Sequence, residues 1–172
     1  MKPNITPRNE ELLLNESDFV VSRTDLKGRI TYCNRIFMSL AGYRESDLLG
    51  VQHNVIRHPD MPRGAFKLVW DTLKQGDEIF AYVKNMASNG AFYWVLANIT
   101  ADRDEAGNII GYYSVRRSPK RSALDVIEPI YQKMLEIEKQ HDVRDQMDYS
   151  IAYLNGLLQE KGMSYEKFVL AI

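Results

Sequence analysis

Residues 78–117 restrict the fold more than any other part of this chain. Three runs, Glu78–Met86, Ala91–Thr100 and Ile109–Arg117, are rich in β-branched and aromatic residues and read as strands. Ser88-Asn89-Gly90 joins the first two as a hairpin turn, and Asp104–Asn108 joins the last two as a looser turn. Upstream, Asp18–Arg23 and Arg29–Cys33 flank Asp25-Leu26-Lys27-Gly28, where Gly28 is free to take a positive φ, so a second hairpin is predicted. Between the hairpins the pattern turns helical. Asn34 is an N-cap for Arg35–Leu40, which Gly42 ends. Glu45–Leu49 forms another short helix closed by Gly50. Pro62 opens a longer helix to about Lys74, with Ala65, Phe66, Val69, Trp70 and Leu73 at helical spacing and Gly76 as its stop. The expectation is an α+β fold: a five-stranded antiparallel sheet, helices on one face, and a pocket between the two layers.

A chain of 172 residues allows one domain plus a modest extension. Residues 1–17 are polar and read as an N-terminal cap segment, with Glu10–Leu14 as a helical turn packed on the body. The core domain is placed at 18–118, up to the Ser118-Pro119 break, and a helical extension at 119–172. That extension has Ile127, Ile130, Tyr131, Met134 and Ile137 on one side of Ser122–His141. Val143–Gln159 repeats the pattern, and Ser164 caps a final short helix. Pro129 either kinks the first of these helices or marks its true start. Such amphipathic helices serve dimerisation or partner contact, or fold back as a hairpin on the domain or on each other.

The 22 Lys and Arg nearly cancel the 23 Asp and Glu, so no global field draws in nucleic acid or anionic lipid. Cys33 is the only cysteine, which excludes an intramolecular disulfide and a Cys-rich zinc site. No apolar run approaches the ~20 residues that span a bilayer, and the N-terminus has no signal-peptide core. The reading is therefore cytoplasmic, with any membrane association made through a partner.

There is no Gly-x-Ser-x-Gly elbow and no Gly-rich phosphate loop, so no enzyme is expected. His53, His58 and His141 are too few for most metal centres, and a facial set of His53, His58 and Asp60 is disfavoured. Residues 53–60 are nonetheless unusual: two imidazoles, an amide, a guanidinium and a carboxylate fall within eight positions. The plain reading is a solvated loop, with His58 or Asp60 capping the helix that follows. Phe66 and Trp70 on one helical face beside those polar groups suit a planar, partly charged cofactor instead.

The order of elements resembles that of PAS sensor domains. More narrowly, HNVIRHPDMPRGAFKLVWDTLKQG, VKNMASNGAFYWVLANIT and GNIIGYYSVRR resemble the flavin-binding PAS domain of the Aer aerotaxis receptors over residues 18–117. Without a membrane span or a long signalling coiled coil, the chain is similar to the stand-alone CetB type of split energy-taxis systems. The resemblance implies FAD, a redox-sensing role, and relay by protein contact to a membrane-bound chemoreceptor. It also implies a set of cofactor-binding residues. Arg57 and His58, with His53 in the same segment, resemble residues the family needs for FAD. Phe66 and Trp70 would line the ring, and Asn85 would hydrogen-bond its pyrimidine edge. Asn34, Asp60, Tyr93 and Asn98 complete the set. Asn34 is equally well explained as a cap, and Asp60 better as a loop brace. Where many relatives carry a Trp after the helix, this chain has Glu78-Ile79-Phe80-Ala81. HNVIRHPD carries no cysteine, so no covalent light adduct is expected. A haem-binding PAS with His53 or His58 as ligand, and a cofactor-free interaction module, are the alternatives.

Overall fold

The computed structural model describes residues 5–172; the first four positions of the cap segment lie outside them. Five strands form one antiparallel sheet: β1 (Val20–Asp25), β2 (Ile30–Cys33), β3 (Ile79–Met86), β4 (Phe92–Arg103) and β5 (Ile109–Arg117), in the order β2-β1-β5-β4-β3. Between the hairpins lie α1 (Arg35–Ala41), α2 (Glu45–Leu48), a 3-10 turn at His53–Ile56 and α3 (Arg63–Gln75). The boundary chemistry is the expected one. Asn34 accepts from Phe37 N–H at the start of α1, and Gly42 and Gly76 close α1 and α3 with φ of 69° and 89°.

Register decides which side chains face the helices. Cross-strand partners share a face, and the face alternates along each strand. Asn85 pairs with Tyr93, Ala97 with Arg116, and Ser22 with Ser114, and all six point inward towards α1–α3. Inward residues of β1 and β2 pack with α1 and α2 in one apolar cluster that includes Val20, Ile30, Cys33, Phe37 and Leu48. A second, larger cluster joins β3, β4 and α3 to the C-terminal helices.

Those helices are α4 (Arg121–Gln140), α5 (Gln146–Glu160) and α6 (Tyr165–Ala171). They fold back on the domain, the second of the two alternatives for the tail. The α4 stripe of Ala123, Leu124, Ile127, Ile130, Tyr131 and Met134 is buried in its own chain. Tyr131 stacks on Trp94, an outward residue of β4, so α4 covers the opposite face of the sheet at its β3 end. Pro129 lies inside α4, which begins at Arg121 and runs through it. At its far end Glu138 reaches the first turn of α3, accepting from Arg63 N–H at 2.9 Å, Gly64 N–H at 2.7 Å and Ser150 Oγ–H of α5 at 2.9 Å.

Glu10–Leu14 is extended, not helical. Its backbone runs parallel to the start of β4, with Leu12 N–H donating to Phe92 C=O at 2.7 Å and Phe92 N–H to Glu10 C=O at 2.8 Å. The cause is length. β4 pairs with β5 only from Leu96 onward, so the edge at Phe92 is open to these residues.

The outer edges of the sheet are occupied. On β3, Tyr82 C=O accepts from the Tyr131 hydroxyl at 2.8 Å, Lys84 C=O accepts from His58 N–H, and Arg57 forms a backbone bridge to Asn85. On β2, Ile30 pairs with Val51 and Gly50.

Candidate functional site

A cavity of about 240 Å³ lies between the inward face of the sheet and the 53–75 segment. Val69, Trp70 and Leu73 of α3 form an apolar wall, and Phe66 continues it. Trp70 meets Tyr112 edge to face, with ring centroids 5.2 Å apart. Ser22 and Thr24 come from β1, Asn85 from β3, and Ser114 and Arg116 from β5. His53, Asn54 and Arg57 close it from the 3-10 turn and the following loop. No carboxylate among the described residues lines it.

At the inner end three polar groups meet. Arg116 Nη2 donates to Ser22 Oγ at 3.1 Å and to His53 Nε2 at 2.8 Å. An arginine can only donate, so Nε2 accepts and the His53 proton sits on Nδ1. Burial, and next the charge of Arg116, push the His53 imidazole down to about 3, so it is neutral at ordinary pH. Burial lowers Arg116 to about 10, which leaves it charged. Arg57 sits over the Phe66 ring at 4.3 Å and donates to Met61 C=O.

Several buried polar atoms of this region have no hydrogen-bond partner among the described residues. They are Thr24 Oγ1, Asn85 Nδ2, Ser114 Oγ and Arg116 Nη1 on the cavity wall, and the Tyr93 hydroxyl. Native interiors leave few such atoms, and a cluster facing one cavity calls for a ligand or ordered water to meet them.

Of the residues expected from sequence, His53, Arg57, Phe66, Trp70 and Asn85 converge on this cavity. The other five do not line it. The Asn34 amide is consumed locally, accepting from Phe37 and Val21 N–H and donating to Phe19 C=O. His58 is buried beside Phe92 and takes the Asp60 N–H on Nδ1. The Asp60 carboxylate turns to Lys84 Nζ at 2.7 Å, which fits the brace reading. Tyr93 faces inward but is wholly covered. Asn98 pairs with Phe80 and Val115 on the outward face and donates to Glu78. Its position is one residue out of phase with the inward set. Neither Ile79 nor Phe80 reaches the cavity wall. Among the described residues no three His, Cys, Asp or Glu side chains gather in a metal-binding group, so the set of His53, His58 and Asp60 does not form. Cys33 is buried in the β1–β2 cluster, apart from the cavity wall.

Ser22, Thr24, Ser114 and Arg116 were not expected. The signal for Arg116 is the pair Arg116-Arg117 in an interior strand: alternation forces one of two adjacent arginines inward.

The family model described as PAS fold matches residues 30–116. The chain is 39% identical over 132 residues to the aerotaxis receptor of Escherichia coli strain K12, covering 77% of this chain and 26% of that protein. It is 27% identical over 105 residues to the nitrogen fixation regulatory protein of Klebsiella pneumoniae, covering 61% and 21%. The chain thus spans about a quarter or less of the length of these relatives. Among solved structures, a light-oxygen-voltage domain studied with a flavin analogue matches with a TM-score of 0.56 at 26% identity, over 63% of this chain and 82% of that one. No helix among the described residues is long and apolar enough to cross a membrane.

Proposed function

Because this chain belongs to the PAS family, we propose that its cavity binds a flavin, FAD in our reading, and that the domain senses redox state in energy taxis. It reports by protein contact to a membrane-bound chemoreceptor. The observation that carries the proposal is the set of unpartnered polar atoms on the cavity wall. Each buried group left unmet costs ~1–3 kcal/mol. A flavin's pyrimidine edge alternates acceptors with an N–H, which complements Asn85, Ser114 and Arg116 against the wall of Phe66, Val69 and Trp70. The cavity, about 240 Å³, is below the ~300–1,000 Å³ of whole-ligand pockets, which suits a ring system with the rest of the cofactor outside it. Arg57, in the loop, offers forked donors to a phosphate or ribityl oxygen. When bound, the flavin supplies reversible electron uptake.

The relay runs through packed contacts. Asn85 sits in the cavity while its backbone bridges to Arg57. The 57–61 loop leads into α3, and Glu138 ties the first turn of α3 to α4. A changed hydrogen-bond demand at Asn85, worth ~1–3 kcal/mol, shifts a two-state equilibrium about 5- to 150-fold. A haem reading is less well supported. His53 Nε2 is already engaged by Arg116 and Ser22, and His58 is not on the cavity wall.

The test is the visible spectrum of the purified chain and of Asn85→Ala. Flavin bands are expected in the wild type and lower occupancy in the variant, with unchanged circular dichroism. Chromatography of the released cofactor separates FAD from FMN. A wild-type chain that stays colourless after incubation with excess FAD and FMN overturns the proposal.

A further inference from the structure

Arg116 is a buried cation with no anionic partner among the described residues. It is 5% exposed, and its backbone lies between β1 and β4, opposite Val20 and Ala97. Nη2 is used by Ser22 and His53, and Nη1 has no hydrogen-bond partner among the described residues. The groups that face it come from four elements. β1 supplies Ser22, the 3-10 turn supplies His53, and α1 supplies the Phe37 ring at 5.7 Å. β4 supplies Tyr93, close enough to feel its charge. His53 is neutral, and burial pushes the Tyr93 hydroxyl far above its usual range, so neither is an anion at ordinary pH. Among the described residues the other cation on the wall is Arg57, and no acid lines it. A charge taken from water without a counter-charge is costly. The missing negative charge must therefore arrive with the ligand.

Position separates the two sources of that charge. Arg57 belongs to a loop beside α3, whereas Arg116 belongs to an interior strand, on the wall shared with Asn85 and Ser114. In the flavin reading, Arg116 therefore stands with the residues assigned to the ring, and Arg57 with the loop assigned to the phosphates or ribityl chain.

We infer that Arg116 sets the charge of the reduced cofactor, holding the flavin ring as an anion after two-electron reduction. This rests on the flavin reading. The oxidised ring takes two electrons from a reduced nicotinamide or quinol carrier and one proton from solvent. It ends with one negative charge, which the guanidinium balances. The second proton, which a reduced flavin in water accepts at mildly acid pH, is then excluded.

The test is a spectroelectrochemical titration of the FAD-loaded chain, with dithionite as reductant, from mildly acid to neutral pH. The wild type is expected to take one proton per two electrons throughout, a slope of about 30 mV per pH unit. Arg116→Gln keeps donors but removes the charge. It is expected to take two protons at mildly acid pH, about 59 mV per pH unit, with a neutral-pH equilibrium at least tenfold less favourable to reduction. Arg116→Lys is expected to restore the one-proton slope. A wild type that takes two protons at mildly acid pH overturns the inference. So does an Arg116→Gln protein with the wild-type slope and potential. If Arg116→Gln loses FAD, the wild-type and Arg116→Lys slopes decide. A chain that takes up no flavin is told apart by its lack of colour, and it overturns the flavin reading and this inference together.

Discussion

Glu138→Ala tests how the tail is fastened to the sensor core. The carboxylate is 5% exposed and accepts three hydrogen bonds, two of them from the first turn of α3. That turn has no other side-chain cap: Pro62 stands at the N-cap and no acidic residue follows. The first N–H groups of a helix need partners, and an anion there also meets the positive end of the helix dipole. Ser150, fully buried, keeps a weaker bond to Met147 C=O at 3.2 Å when Glu138 is removed. The loss is therefore two charged-acceptor bonds to backbone N–H, at about 1.5–3 kcal/mol each, partly offset if water enters the space left behind. The net expectation is about 3 kcal/mol, which lowers the Tm of a chain this size by roughly 6–12 °C. A domain with ~5–15 kcal/mol of stability still folds after that loss. Thermal and urea unfolding followed by circular dichroism read the effect, and a double-mutant cycle with Ser150→Ala isolates the coupling. A Glu138→Ala Tm within about 2 °C of wild type would refute the claim that this carboxylate anchors α4 to α3.

Two further outcomes follow from the geometry. Asn34→Ala removes the cap of α1, one link to β1 at Val21 and one to Phe19 just before it, and is expected to cost about 1–3 kcal/mol in urea unfolding while leaving the flavin bands unmoved; shifted bands at wild-type stability would return Asn34 to the cavity. His53 has a folded value near 3 against 6.5 in the open chain. Between those values the unfolded chain binds the proton and the folded chain does not, so stability falls as pH drops through that window. His53→Gln, which keeps an acceptor for Arg116, is expected to flatten that acid-side slope in urea midpoints, and an unchanged slope would contradict the assignment.

The fold was readable because its punctuation is local. Asn34, Gly42, Gly76 and Ser164 act through their own backbone neighbours, and each stands where the sequence places it. Glu10–Leu14 was misread because its conformation is decided far away, by the point at which β5 stops pairing with β4. The site divides along the same line. Phe66 and Trp70 follow helical spacing, and Asn85 sits in a run that fixes its strand. Asn98 and Arg116 needed register across strands. With Asn85 inward and Tyr93 its partner, the odd positions of β4 face the cavity and Asn98 cannot. The same count along β5 turns Arg116 inward. Asp60 and His58 depend on where a loop lies against β3, which no periodicity encodes.

The closed borders of the sheet have a consequence for signalling. Tyr131, His58 and Arg57 occupy backbone groups along β3, as Val51 and Gly50 do along β2. A visiting strand therefore meets the β3 ladder and the Ile30 end of β2 already taken, which hinders pairing there. Recognition is left to side-chain surfaces. One of these is the outward row of Tyr32, Arg23 and Tyr113, aligned across three strands and open to solvent.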